Sequence, residues 1–217
     1  MSSRKSPAFE KFESNVSISV DGSTIVIESD GIPNHGSPYF ETTDSRYEAY
    51  NGGNPDFALN PNQIAEQNFV FRIPLEPQAA SDNQATDLGP IGVALNGVPF
   101  FNQYAAGNTP LTNEINSFDQ YNGHPQGQGA YHYHIEPLYL TDIYGEDALL
   151  GFLLDGFPVY GPLENGSAVS NQDLDEFHGH SHATEDYPDG IYHYHITDSD
   201  PYINGNGYYG EPGTVSL

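Results

Sequence analysis

The sequence predicts an all-β protein, mostly antiparallel and rich in loops. Three observations predict it. Short runs of β-branched and aromatic residues alternate with polar ones, as half-buried strands require. Gly (23 residues) and Pro (17 residues) interrupt nearly every stretch long enough for a helix. One hairpin–loop–strand pattern occurs twice. A length of 217 residues suits one domain, 1–217, with 1–14 as a flexible N-terminal segment.

Taken in order, Val16–Val20 and Thr24–Glu28 flank Asp21-Gly22-Ser23 and read as a hairpin. Segments 31–67 and 76–90 are rich in Asn, Pro, Gly and Asp, and the first also carries aromatic anchors such as Tyr39, Phe40, Tyr47, Tyr50 and Phe57. They therefore read as ordered loops rather than linkers. Phe69–Ile73 between them is a strand, ended by Pro74.

The repeat fills the rest. Ile91–Phe101 and Leu150–Tyr160 each give an apolar strand, Asn-Gly or Asp-Gly, then Pro and an aromatic-ending strand. These are hairpins with type I′-like turns at Asn96-Gly97 and Asp155-Gly156. Asp119…Gly123-His124 then matches Asp175…Gly179-His180, and Gly129–Ile135 matches Gly190–Ile196 at all but one position. Three blocks recurring in one order predict two halves, about 91–137 and 150–197, related by a pseudo-two-fold axis in a sandwich- or barrel-like body. Neither half is large enough to stand well alone.

Charge narrows the function. Thirty Asp and Glu face five Lys and Arg, a net −25, and no basic residue follows Arg72. Nucleic acid needs cations to displace its counterions, so it is not an expected partner, and an anionic membrane surface would repel the chain. Metal ions, or the counterions of a saline habitat, are the natural partners. There is no Cys, which removes disulfides, zinc knuckles, iron–sulfur clusters and thiol catalysis. Met1–Lys5 is not followed by an apolar run, so no signal peptide is expected, and no stretch is apolar enough to span a membrane.

Eight of the nine His lie in the repeat. Side chains alternate along a strand, so His132 and His134 share one face while Tyr131 and Tyr133 share the other. The same holds for His193 and His195 against Tyr192 and Tyr194. Two imidazoles on one face can grip one transition-metal ion, copper or zinc. His124 and His180, in Gly-His turns just upstream, can supply the third ligand. The candidate metal ligands are thus His124, His132, His134, His180, His193 and His195, with Asp119, Asp175 and Asp155 as outer acceptors that would fix imidazole tautomers. Spacing leaves open whether each half holds an ion or whether His132, His134, His193 and His195 share one site. It equally leaves open the part played by His178 and His182. Three His with an open position would suit metal-activated water or copper redox chemistry, but no residue stands out as a general base.

The competing expectation is a structural or adhesive module in which Tyr and His form a packed polar network. Scattered carboxylates (Asp142, Glu146, Asp147; Asp186, Asp189) would bind calcium in that case, although Asp173–Glu176 lacks EF-hand spacing. No nucleophile elbow, phosphate-cradling loop or His-Glu-x-x-His helix occurs.

The doubled Tyr-His-Tyr-His, with Leu154–Pro162 between and Gly31-Ile32-Pro33-Asn34-His35 upstream, resembles the YHYH domain family over about Gly31 to Tyr202. The resemblance implies an extracellular or periplasmic protein without a defined activity, and it adds His35 to the residues of interest. Where family members often carry Cys before the second Gly-His, this chain has Phe177-His178, so any Cys-dependent feature is missing.

Overall fold

The first hairpin forms where the alternation places it. In the computed structural model, which describes residues 4–217, β1 (Ser17–Asp21) and β2 (Thr24–Ser29) meet at the two-residue turn Gly22-Ser23, with Gly22 at φ +62°. β3 (Phe69–Pro74) pairs along all of β2, setting Ile25 opposite Ile73 and Ile27 opposite Phe71 on one buried face. The first half of the repeat follows as β4 (Pro90–Ala94), β5 (Pro99–Phe101), β6 (Tyr104–Ala105), β7 (Thr109–Pro110), β8 (Gly123–Pro125) and β9 (Tyr131–Tyr133). The short helix α1 (Leu138–Tyr144) connects to β10 (Leu149–Leu153), β11 (Pro158–Tyr160), β12 (Leu163–Glu164), β13 (Ser167–Ala168), β14 (Gly179–His182) and β15 (Ile191–His195). β16 (Thr214–Ser216) closes the chain by pairing with β3.

The strands form a four-stranded sheet, β1-β2-β3-β16, an eight-stranded sheet, β14-β15-β11-β10-β4-β5-β9-β8, and two small ribbons, β12-β13 and β6-β7. From the central antiparallel pair β4–β10, each flank of the large sheet runs outward through a hairpin partner, a parallel strand and an antiparallel edge strand. Both larger sheets feed one apolar core, in which Ile25, Phe71 and Ile73 join Ile91, Val93, Phe100, Phe152 and Val159. Every residue of β10 is buried, as expected of a strand covered on both faces. Among the described residues neither larger sheet closes on itself: β14 and β8 remain edges, so the barrel alternative does not hold.

Two expectations need correction. A type I′ turn needs positive φ at both central residues. At Asn96-Gly97 and Asp155-Gly156 only the glycines are left-handed, at +85° and +84°. The hydrogen bonds Gly97 N to Ala94 O and Ala94 N to Val98 O define three-residue loops with glycine at the bulge, and Gly156, Leu153 and Phe157 repeat them. The reason is local. The Asn96 and Asp155 side chains turn inward and accept from the backbone N–H two residues on, which holds their own backbone right-handed. A genuine I′ turn lies elsewhere, at Asn165-Gly166 between β12 and β13, where both φ angles are positive.

The second correction concerns the flexible segment 1–14, of which Met1–Ser3 lie outside the described residues. Pro7–Lys11 forms a 3-10 turn capped by Ser6, and Phe9 stacks on Phe152 with ring centroids 4.2 Å apart. Burial of that ring pins the segment to the core.

The β4–β10 pairing depends on glycine. A Cβ on Gly151 would collide with the Val93 carbonyl oxygen and lie 2.7 Å from Ala94 Cα, whereas one on Gly53 would meet nothing within 4 Å. Gly151→Ala is expected to cost about 3 kcal/mol, the upper range for overpacking, and Gly53→Ala less than about 0.5 kcal/mol. Urea unfolding midpoints of the two variants test this; equal midpoints would refute it.

Candidate metal centres

Tyr-His-Tyr-His in an extended strand separates its residues onto two faces, and the faces have different chemistry. On one, Tyr131 donates to Asp119 (2.8 Å) and Tyr192 to Asp175 (2.9 Å). Tyr194 donates to Asp155 (2.6 Å), and Tyr133 lies between His35 Nε2 (2.9 Å) and Asn96 Nδ2 (3.2 Å). The three aspartates therefore hold tyrosines, not imidazoles as expected, because the strand pleat turns the His rings away from them. His35 sits on the tyrosine face too, outside both histidine clusters.

The other face gathers the imidazoles. β8 pairs with β9 so that His124 stands directly opposite His132, and β14 pairs with β15 so that His180 stands opposite His193. The Gly-His turns thus do bring a third ring to each pair. Four strands lie between β9 and β15 in the sheet, a separation of about 24 Å at the usual strand spacing, so a site shared by the two pairs does not exist.

In the first cluster His132 Nδ1 lies 2.9 Å from Ala130 O and His134 Nδ1 2.6 Å from Asn102 O. In the second, His193 Nδ1 lies 2.9 Å from Ile191 O and His195 Nδ1 2.8 Å from Gly161 O. A carbonyl oxygen only accepts, so each of these Nδ1 atoms carries a proton and each neutral ring turns an Nε2 lone pair to the other side. His124 follows the same rule through Ser117. That hydroxyl donates to Glu114 O (2.7 Å) and so accepts from His124 Nδ1 (2.7 Å).

The lone pairs converge. His132 Nε2 and His134 Nε2 are 3.1 Å apart, and the ligand atoms of His124, His132 and His134 all lie within 4.8 Å of one another. The second group is His180, His193 and His195 with Glu164, within the same limit. Glu164 oxygens stand 3.4 Å from His193 Nε2, 3.4 Å from His195 Nε2 and 3.5 Å from His180 Nε2. At His193 and His195 a lone pair faces the carboxylate, an arrangement that repels unless a cation lies between. The Nε2 atoms of His124, His180 and His195 are buried without a hydrogen-bond partner. Burial also keeps the rings neutral, pushing His124 down to about 3, His134 and His193 to about 4, and His132 well below the usual value.

Glu164 is the candidate donor that the sequence pattern does not single out. Counting from the shared Pro of β5 and β11, its counterpart in the first half is Ala105, so this departure between the repeats was the available signal. Of the remaining histidines, His178 is left-handed at φ +75° and is held by Asn171 and Thr197, outside both clusters. His182 lies at the rim, its Nδ1 3.3 Å from Glu164 and its ring 4.1 Å from that of His180. These two are the only groups of three or more converging metal donors among the described residues, so the carboxylates considered for calcium do not gather. Asp186, for one, is engaged by Lys11 at 2.5 Å.

Fold and sites together define an all-β protein with two separate histidine clusters, each of which could hold a metal ion. The family model described as YHYH protein matches residues 70–171 and 163–207, and the chain belongs to the YHYH family. No curated protein and no solved structure matches it. Among the described residues, no helix is long and apolar enough to cross a membrane.

The buried rings set an acid limit. His35, His124, His132, His134, His178, His193 and His195 are all lowered by burial, so the unfolded chain takes up protons first, from about 6.5 downward. Asp119 and Asp155, raised to about 6 by burial, act in the opposite sense between about 4 and 6. Seven groups outweigh two. The metal-free protein is expected to lose stability as pH falls from about 6.5 to about 4; urea midpoints measured in chelator that stay flat over this window would contradict it.

Proposed function

We propose that this protein binds two transition-metal ions, copper or zinc, one at His124, His132 and His134 and one at His180, His193, His195 and Glu164. The observation that carries the reading is the convergence of Nε2 lone pairs in His124, His132, His134, His193 and His195, whose Nδ1 atoms are already committed. A buried polar network would set donors against acceptors; these clusters set acceptors against acceptors. Nitrogen donors with at most one carboxylate suit copper and zinc, and calcium prefers oxygen. The backbone carbonyls behind the rings are the outer partners that such ligands usually have.

We propose further that the two halves arose by duplication and are related by a pseudo-two-fold axis through the β4–β10 pair. Support comes from equivalent contacts: Ala130 O with Ile191 O, Asn102 O with Gly161 O, Asp119 with Asp175, and Asn96 with Asp155.

Elemental analysis of protein purified without a His tag is expected to give two equivalents of copper or zinc per chain. His132→Ala should leave one, as should His193→Ala, and the double variant none. Glu164→Gln should weaken the second centre by more than about tenfold, the lower range for losing even an outer partner. Metal at a hundred times its dissociation constant should stabilise the fold by about 2.7 kcal/mol per site, reversed by chelator. Metal-free protein whose stability ignores these substitutions would favour the structural module instead.

A further inference from the structure

The two centres differ in access. His124, His132 and His134 are 2 %, 2 % and 3 % exposed, with Phe101 stacked on His132 at 3.8 Å and Phe118 on His134 at 5.7 Å. In the second centre the His180 and Glu164 side chains are 20 % and 23 % exposed, and Glu164 and His195 line a cleft of about 500 Å³. That volume lies within the range of small-molecule sites.

The cleft wall states what fits. Tyr144, Leu149, Tyr160 and Leu163 give it an apolar and aromatic body. Four carboxylates, Asp147, Glu164, Glu185 and Asp186, face one cation, Lys11, whose charge is already matched by Asp186. With a divalent ion at the second centre the lining still carries one net negative charge, so a neutral donor or a cation is favoured over an anion. His195 Nε2, buried and without a hydrogen-bond partner, is among the donors at its inner end. Zinc can expand to five ligands and copper(II) accepts tetragonal sets, so four protein donors leave a position for a guest.

We propose that this cleft is a ligand site, in which a small uncharged or cationic molecule reaches the metal of the second centre through a nitrogen or oxygen lone pair while the first centre stays closed. The inference rests on the metal-binding reading above and adds to it which centre exchanges ligands and with what class of molecule.

The test uses the full chain loaded with cobalt(II), titrated with imidazole as a neutral donor and azide as an anionic one. Imidazole should change the visible spectrum of one centre saturably, and azide should bind more weakly. Ala183→Trp, on the exposed rim of the cleft, should keep two cobalt per chain yet weaken imidazole at least about tenfold. His132→Ala should retain one cobalt with the imidazole response unchanged. A response from both centres, tighter binding of azide, or a response that survives Ala183→Trp and disappears with His132→Ala would overturn the ligand site alone. Failure of cobalt to bind at all would overturn the metal reading beneath it.

Discussion

The arrangement turns on where each imidazole spends its single proton. In His132, His134, His193 and His195 the proton goes to a backbone carbonyl, and in His124 to a hydroxyl that itself donates elsewhere. With Nδ1 so committed, every Nε2 is an acceptor, and the strand pairing points these acceptors at one another. The opposite face of the same strands shows what a satisfied network looks like. Tyr133 accepts from Asn96 and donates to His35 Nε2, and His35 Nδ1 donates to Gly36 O. Donors and acceptors alternate there without a remainder. On the histidine face an unmatched set of lone pairs remains, and a cation is the species that resolves it.

The tyrosine face keeps the histidine face in register. Each tyrosine hydroxyl is tied to a residue from a different loop, so neither strand can slide without breaking buried hydrogen bonds. Asp119 also accepts from Ser37 and from the Tyr121 and Gly123 backbone, locking the turn that delivers His124. Asp175 does the same for the turn before His180 through Phe177 and Gly179. The aspartates thus position the third imidazole of each cluster by shaping the backbone before it. They never touch the ring.

Local patterning made much of this legible. Alternation placed the strands and split Tyr from His, and the internal match brought His124 and His180 to their pairs. What depends on distant parts of the chain was not legible. Separate centres follow from the sheet order, with β9 and β15 near opposite ends, and no local pattern encodes that order. Spacing pairs the aspartates with imidazoles because it gives distance along the chain but not the face of the pleat. Glu164 is one of thirty acidic residues, set apart only by its turn, Asn165-Gly166, and by the alanine, Ala105, at the matching place in the first half. The dipeptide alone does not distinguish that turn from Asn96-Gly97, where an inward side chain decides the geometry.

One frame therefore carries two electrostatic environments, and the difference lies in few positions. Where the first half has Ala105 and Phe101, the second has Glu164 and Tyr160. A divalent ion on three neutral imidazoles would keep its whole charge, and enclosing that charge among Phe101 and Phe118 would cost solvation that Glu114, 3.5 Å from His124 Nε2, could partly offset. The same ion beside Glu164 would be partly neutralised by that carboxylate and would tolerate contact with water. Closure around neutral donors holds an ion in place but leaves a guest no approach. A carboxylate at an open edge would relax both conditions, so under the proposed reading the half that carries Glu164 is the one suited to exchange ligands.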